Sequence, residues 1–245
     1  MEQHQNSSSA VAATAGVQNV VVMRHGDRIE GKIRAWTTGK RIRGLRFPIH
    51  RVMVSPFLRC LQTAAEVVAA LCAVANDEEL MLSLDTSKDA VIDPSRVKVH
   101  IELGLCEVMG SHAMRISEPA KDEIWFPAIS ELESIFPAGT LDSSAERIYQ
   151  QLPQWEEPVS SARDRYKNII QALADKFPNE NLLLVTHGEA VGVSVNSFAK
   201  GLEVFEVEYC ALSFLQRSTQ AENLRVLTES AQSGVSYYSE ADKTP

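Results

Sequence analysis

The apolar positions of this chain fall into short unbroken runs and longer periodic stretches that alternate along its length. Val20-Val21-Val22-Met23 and Leu182-Leu183-Leu184-Val185 are such runs, each closed by one polar residue and then a His-Gly pair. Apolar runs of this length bounded by glycine read as strands buried on both faces, as in a parallel sheet. Residues 19–24 are therefore expected as a first strand and 182–185 as a fourth. Arg51-Val52-Met53-Val54-Ser55 predicts a second strand, halted by Pro56. Proline suits the first turn of a following helix, where its missing N–H has no partner to lose. Leu58, Leu61, Ala65, Val68 and Leu71 recur at helical spacing through that helix. Val97 to Ile101 alternates apolar with polar and predicts a third strand, half buried.

Residues 33–43 carry Ile33, Arg34, Lys40, Arg41 and Arg43 and predict a short basic helix ended by Gly44. Ala162, Tyr166, Ile169, Ile170, Leu173 and Phe177 form one face of a further helix, with Ser160 or Ser161 as N-cap and Pro178 as its stop. Another helix is expected from about Glu189, and late strands near Tyr209–Leu215 and Leu224–Leu227. The acidic, polar stretch 75–96 reads as a loop with some helix. Residues 111–160 hold five prolines and the aromatics Trp125, Phe126, Phe136, Tyr149 and Trp155. Such a segment makes a poor sheet element and a plausible lid, with the aromatics packing it. Residues 1–18 and 231–245 are expected to be tails around one domain, 19–230. Strands alternating with helices give an α/β fold, a three-layer α/β/α arrangement around a mostly parallel central sheet.

Composition narrows the function. A chain of 245 residues with 44% hydrophobic positions supplies a large core. A net charge of −8 argues against a general binder of nucleic acid or membrane surfaces. No apolar stretch reaches the length of a membrane span. No Lys or Arg precedes Arg24, which supports neither a secretory nor a transit peptide. Cys60, Cys72, Cys106 and Cys210 form no C-x-x-C pair and fit no zinc spacing. They read as small buried residues of a reducing, cytoplasmic protein. His50, His100 and His112 share no spacing that suggests a metal, so neither metal nor other cofactor is expected. No face points to an oligomeric partner.

The polar residues at the strand ends carry the chemistry. Phosphoryl transfer to a side chain needs a nucleophile, rigid cationic donors and an acid for the departing oxygen. Neutral imidazole is a competent nucleophile near neutral pH, and the arginine fork matches phosphate oxygens bidentately. Arg24 and His25 end the first strand, with Arg28 on the loop beyond. Arg59 lies in Ser55-Pro56-Phe57-Leu58-Arg59, at the start of a helix whose N–H groups can face the same anion. Glu107, in Gly104-Leu105-Cys106-Glu107, follows the third strand, and His187 ends the fourth. In an open parallel sheet those ends converge on one crevice. Each residue alone is also an ordinary surface or strand residue. Their combination points to a phosphate site.

These segments resemble the histidine phosphatase superfamily, the phosphoglycerate mutase-like proteins. The matching stretches are Val22-Met23-Arg24-His25-Gly26, Ser55 to Ala64, Leu105-Cys106-Glu107 and Val185-Thr186-His187-Gly188, in the family's order. The Arg-His-Gly-Asp-Arg form resembles the branch that holds the phosphatase domain of the suppressor of T-cell receptor signalling proteins, and plant mutase family proteins. The resemblance implies a metal-independent phosphatase in which His25 forms a phosphohistidine and Glu107 donates the proton. Arg24, Arg28, Arg59 and His187 would hold the phosphate of a phosphorylated small molecule or protein. One departure stands out. His25 and Arg59 are only 34 positions apart, shorter than the family usually shows, and Ile29-Glu30 runs directly into Gly31-Lys32-Ile33-Arg34. The loop that borders the substrate is thereby shortened. A mutase that shuttles phosphate within a phosphoglycerate, or a catalytically weak phosphate-binding or interaction protein, remains the alternative on these residues.

Overall fold

The computed structural model describes residues 16–27, 30–74, 83–114, 128–142, 144–219, 221 and 223–239. In chain order the elements are β1 (Val17–Arg24), α1 (Gly31–Arg43), β2 (Arg51–Val54), α2 (Leu58–Cys72), β3 (Lys98–Ile101), α3 (Ser111–Met114) and α4 (Ile129–Glu133). They continue with α5 (Val159–Lys176), β4 (Leu182–Thr186), α6 (Gly188–Asn196), β5 (Leu202–Val207), β6 (Leu212–Ser218), β7 (Arg225–Val226) and β8 (Val235–Ser239). The main sheet has the order β3-β2-β4-β1-β6-β7. β1, β2, β3 and β4 run parallel, and β6 and β7 join antiparallel at one side.

The period-two geometry of a strand sorts the apolar runs onto two faces. Val21, Met23, Val52, Val54, Leu183 and Val185 pack with α2 residues such as Leu61, Ala64 and Val68. Val20, Val22, Met53, Leu182 and Leu184 pack on the other side against Ile169, Ile170 and Leu173 of α5 and Val191 and Val195 of α6. The result is the expected three-layer α/β/α arrangement with a mostly parallel centre. Every residue of Val20–Met23 and Leu182–Val185 is fully buried.

Several boundaries differ from the sequence reading for identifiable reasons. β1 begins at Val17, inside the expected N-terminal tail. Gln18 is polar yet buried, because its side-chain amide donates to Ala174 O and Phe177 O at the end of α5 (3.0 and 2.8 Å). β3 is not half buried. His100 is covered along with Val99 and Ile101, and the chain at Thr140–Leu141 runs beside Val99, whose N–H donates to Thr140 O at 2.8 Å. Ser160 and Ser161 lie within α5 and do not cap it; Pro158 precedes the helix without a side-chain cap. The late strand starts at Leu212, not Tyr209, since Cys210 adopts a left-handed backbone (φ 59°).

β8, in the expected C-terminal tail, pairs antiparallel with β5, a strand the hydrophobic pattern did not reveal. Of the proposed lid, Leu132, Phe136 and Thr140 are buried against the core, while Trp125 and Phe126 lie outside the described residues. The short connection after His25 brings two glycines together. A Cβ on Gly26 would come within 3.0 Å of Gly31 Cα and O, so α1 starts directly against the loop that follows β1.

Candidate active site

The parallel strands put the carboxyl ends of β2, β4 and β1 side by side, where an open α/β sheet forms its crevice. Arg24 is in register with Thr186, so the next residues, His25 and His187, face each other across that crevice. Their ring centroids are 5.5 Å apart with an interplanar angle of 69°.

His25 is buried and its tautomer is set by the backbone. Nδ1–H donates to Gly26 O at 2.8 Å, which leaves the Nε2 lone pair facing the pocket. That lone pair accepts from Arg59 Nε at 3.0 Å. Burial lowers the His25 pKa to about 3, against the opposing Gly26 carbonyl and with help from His187, Arg59 and Arg24. The ring is therefore neutral across the physiological range. Thr63, one turn into α2, clamps this loop: its hydroxyl accepts from Gly26 N–H at 2.9 Å and donates to Arg59 O at 2.7 Å.

His187 has no exposed surface. The Ser55 hydroxyl donates to Nε2 at 2.8 Å, and Nδ1–H donates to Glu107 Oε2 at 3.0 Å. Burial lowers its pKa, with Glu107 opposing. Arg59 Nη2 reaches the same Glu107 oxygen at 2.9 Å, while Glu107 Oε1 accepts from Val108 N–H at 3.0 Å. Burial alone would raise the Glu107 pKa. The donors at His187, Arg59 and Val108 outweigh it and hold the carboxyl at about 2.

Arg24 lies across the start of α6. Its guanidinium donates to the Val207 carbonyl and sits 4.0 Å over the Tyr209 ring. Gly188 lies beside it: a Cβ there would stand in van der Waals contact, 3.4 Å from Arg24 Nε. That Nε is buried without a hydrogen-bond partner among the described residues. A buried unpaired N–H costs roughly 1–3 kcal/mol, and a phosphate oxygen would satisfy it. A cleft of about 480 Å³ opens beside Arg59, lined by Asp27, Glu30, Gly31, Lys32, Gln62 and Thr86 among others. It gives a substrate body room next to the phosphate position.

His25, Arg59, Glu107 and His187 thus form one contiguous hydrogen-bonded cluster, with Arg24 beside it. Arg28 lies outside the described residues. The sequence reading did not assign Ser55 and Thr63 separate roles, although both belong to the helix-opening motif. It missed Tyr209 and Arg165. Arg165 had a signal: an arginine on the face of α5 that Ala162, Tyr166 and Ile169 make apolar. The four cysteines are free and buried, and burial raises the Cys60 thiol, which packs 3.6 Å from His187 Nε2. Among the described residues no group of three or more His, Cys, Asp or Glu side chains could hold a metal ion. No described helix is long and apolar enough to cross a membrane.

No family model and no curated protein sequence matches the chain. Solved structures do. The chain is similar to the ecdysone phosphate phosphatase from Bombix mori, solved with tungstate, at 19% identity and a TM-score of 0.57, over 86% of this chain and 92% of that one. It is also similar to the phosphoglycerate mutase from Bacillus anthracis at 16% identity and a TM-score of 0.52, over 88% and 93%. The fold is phosphoglycerate mutase-like.

Proposed function

We propose that this chain, built on the phosphoglycerate mutase-like fold, is a histidine phosphatase that hydrolyses a phosphomonoester through a phosphohistidine. The observation that carries the reading is the state of His25. It is a neutral ring with its Nε2 lone pair turned into a pocket that also holds Arg59, His187 and a carboxyl group.

The geometry supports two displacements. The substrate phosphoryl group takes the donors of Arg24, Arg59 and His187, which neutralise the charge on its oxygens. Arg59 Nε leaves His25 Nε2, which attacks phosphorus. The N–P bond forms as the bond to the leaving oxygen breaks, and Glu107 gives that oxygen a proton. Water then attacks the phosphohistidine, Glu107 takes a proton from it, and the N–P bond breaks to release phosphate and neutral His25.

Glu107 is ionised in the resting pocket, so it must gain its proton on binding, from solvent or from the monoanionic form of the substrate phosphate. Phosphate supplies the reason. It draws Arg59 and His187 away from the carboxylate and brings negative charge beside it, and both changes raise a carboxyl pKa. Ser55 keeps His187 in the tautomer whose Nδ1–H faces the phosphate.

His25→Ala tests the proposal. It is expected to abolish turnover of p-nitrophenyl phosphate while circular dichroism and thermal melting stay those of the folded chain. Undiminished turnover would remove His25 from the mechanism. The substrate class follows from a screen of phosphometabolites and phosphopeptides against the active protein.

A further inference from the structure

We infer that Arg165, paired with Glu157, is a positioning residue for Glu107, holding the turn that carries the proton donor at the reach proton transfer needs. The inference rests on the reading of Glu107 as the acid.

Residues 103–105 form a single 3₁₀ turn and 106–109 have no regular structure, so their carbonyls lack ladder partners. Side chains take those of residues 104–107 instead. Arg165 Nη1 donates to Gly104 O at 2.7 Å and to Cys106 O at 2.9 Å, and Nη2 donates to Glu107 O at 3.2 Å. The Thr186 hydroxyl donates to Leu105 O at 2.8 Å, and Tyr166 OH donates to Cys106 O at 2.6 Å. Four consecutive carbonyls ending at Glu107 are thus fixed, three of them by one guanidinium.

That guanidinium has no donor to spare. Its Nε and the second Nη2 hydrogen go to Glu157 Oε1 and Oε2 at 2.8 and 2.7 Å, which completes its five N–H bonds. Arg165 is 5% exposed, and its five N–H bonds go to Glu157 and to carbonyls of the turn that ends at Glu107. Glu157 is itself anchored. Its N–H donates to Met109 O at 2.9 Å, and the preceding Glu156 holds a left-handed backbone (φ 57°) while accepting from Ser111 N–H at 3.1 Å. A non-glycine residue in that region is strained. The turn keeps it, and so presents Glu157 inward to Arg165. A lysine offers three donors from one point and cannot reproduce the fork.

A purely structural arginine would, when changed, lower all activity together. A positioning residue for the proton donor acts selectively on substrates that need the proton. The test compares kcat/KM for ethyl phosphate and p-nitrophenyl phosphate in Arg165→Lys, Glu107→Gln and the double variant, with Gly39→Ala as a destabilised control remote from the turn. Arg165→Lys is expected to lower the alkyl-to-aryl ratio about tenfold or more. The double variant is expected to show no lower ratio than Glu107→Gln, and Gly39→Ala an unchanged one. Equal losses on both substrates in Arg165→Lys, or multiplicative losses in the double variant, would overturn the inference. Should Arg165→Lys lose its cooperative melting transition, Glu157→Ala, which frees the guanidinium from both of its carboxylate bonds, is read by the same ratio, with an unchanged ratio counting against the role. If Glu107→Gln itself leaves the ratio unchanged, Glu107 is not the acid and the positioning role falls with it.

Discussion

Glu107 Oε2 stands 3.0 Å from His187 Nδ1, and Arg59 Nη2 lies 2.9 Å from the same oxygen. One carboxylate oxygen therefore occupies two of the donors that a phosphate oxygen would use. On the proposed function, bound phosphate has to displace the Glu107 carboxylate. Tungstate affinity measured by calorimetry should rise about tenfold, roughly 1.4 kcal/mol, in Glu107→Gln. Glu107→Asp keeps the charge but shortens the side chain, so it should also bind tungstate more tightly. Binding that is unchanged in the aspartate variant would mean that charge alone, and not occupancy, explains the glutamine result.

If Glu107 is the acid, its loss should be felt most where the leaving group is poor. Glu107→Gln is expected to lose about 10²-fold or more in kcat/KM on an alkyl phosphate, and far less on p-nitrophenyl phosphate, whose leaving group departs without a proton. His187→Ala should impair both substrates similarly, since His187 Nδ1–H faces the phosphoryl group in either case. Equal losses on both substrates in Glu107→Gln would make Glu107 a positioning group and leave Asp27 or Glu189 to be tested as acid.

The site also sets how stability responds to acid. Burial depresses His25 to about 3 and lowers His187, and the His187 and Arg59 donors hold Glu107 at about 2. In each case the unfolded chain binds a proton at a pH where the folded chain does not. The stability from these groups is present near pH 7 and is lost as pH falls. For the histidines the loss begins near 6.5, for Glu107 near 4.5, and it runs down toward the folded-state values. Each unit of difference is worth about 1.4 kcal/mol. Melting temperature should fall between pH 7 and pH 4, and His25→Gln should flatten that slope. A slope unaltered by His25→Gln would show that the ring titrates normally in the folded protein.

Gly39 marks the contact of α1 with α2. A Cβ there would stand 2.7 Å from Ala70 Cβ and 3.0 Å from Val67 Cα, neither of which can swing aside. Gly39→Ala should destabilise the protein by about 1–3 kcal/mol, measured by denaturant unfolding. The alkyl-to-aryl preference should not change. Wild-type stability in this variant would mean that the two helices part without cost.

The strand ends were legible because a buried parallel strand cannot hide. Val20–Met23 and Leu182–Val185 have no polar residue to suggest another period, and the His-Gly pairs mark where each stops. β5 was illegible for the opposite reason. Glu203, Phe205 and Glu206 are exposed and only Leu202, Val204 and Val207 lean inward, so the strand exists through pairing with β8 rather than through its own pattern. The hydrogen bonds of the candidate site are partly legible. Histidine, arginine and glutamate types at strand ends pointed to the residues that the fold brings together. Their partners at Ser55, Thr63, Val207 and Arg165 are fixed by long-range packing that spacing does not encode.

β1 has a second consequence, in time rather than in space. Val20 is paired with Leu182 on one side and Leu215 on the other. At roughly 5–20 residues per second, on the order of ten to forty seconds of synthesis separate β1 from the last residue of β6. Until β4 is made both edges of this apolar strand are open, and the edge that β6 takes stays open to the end of the interval, the condition under which chains pair with one another. Pairings this distant in sequence also close slowly once the chain is complete. The strand that ends at His25 is thus made early and satisfied late, and Val20–Met23 is the segment of this chain most in need of shielding in the meantime.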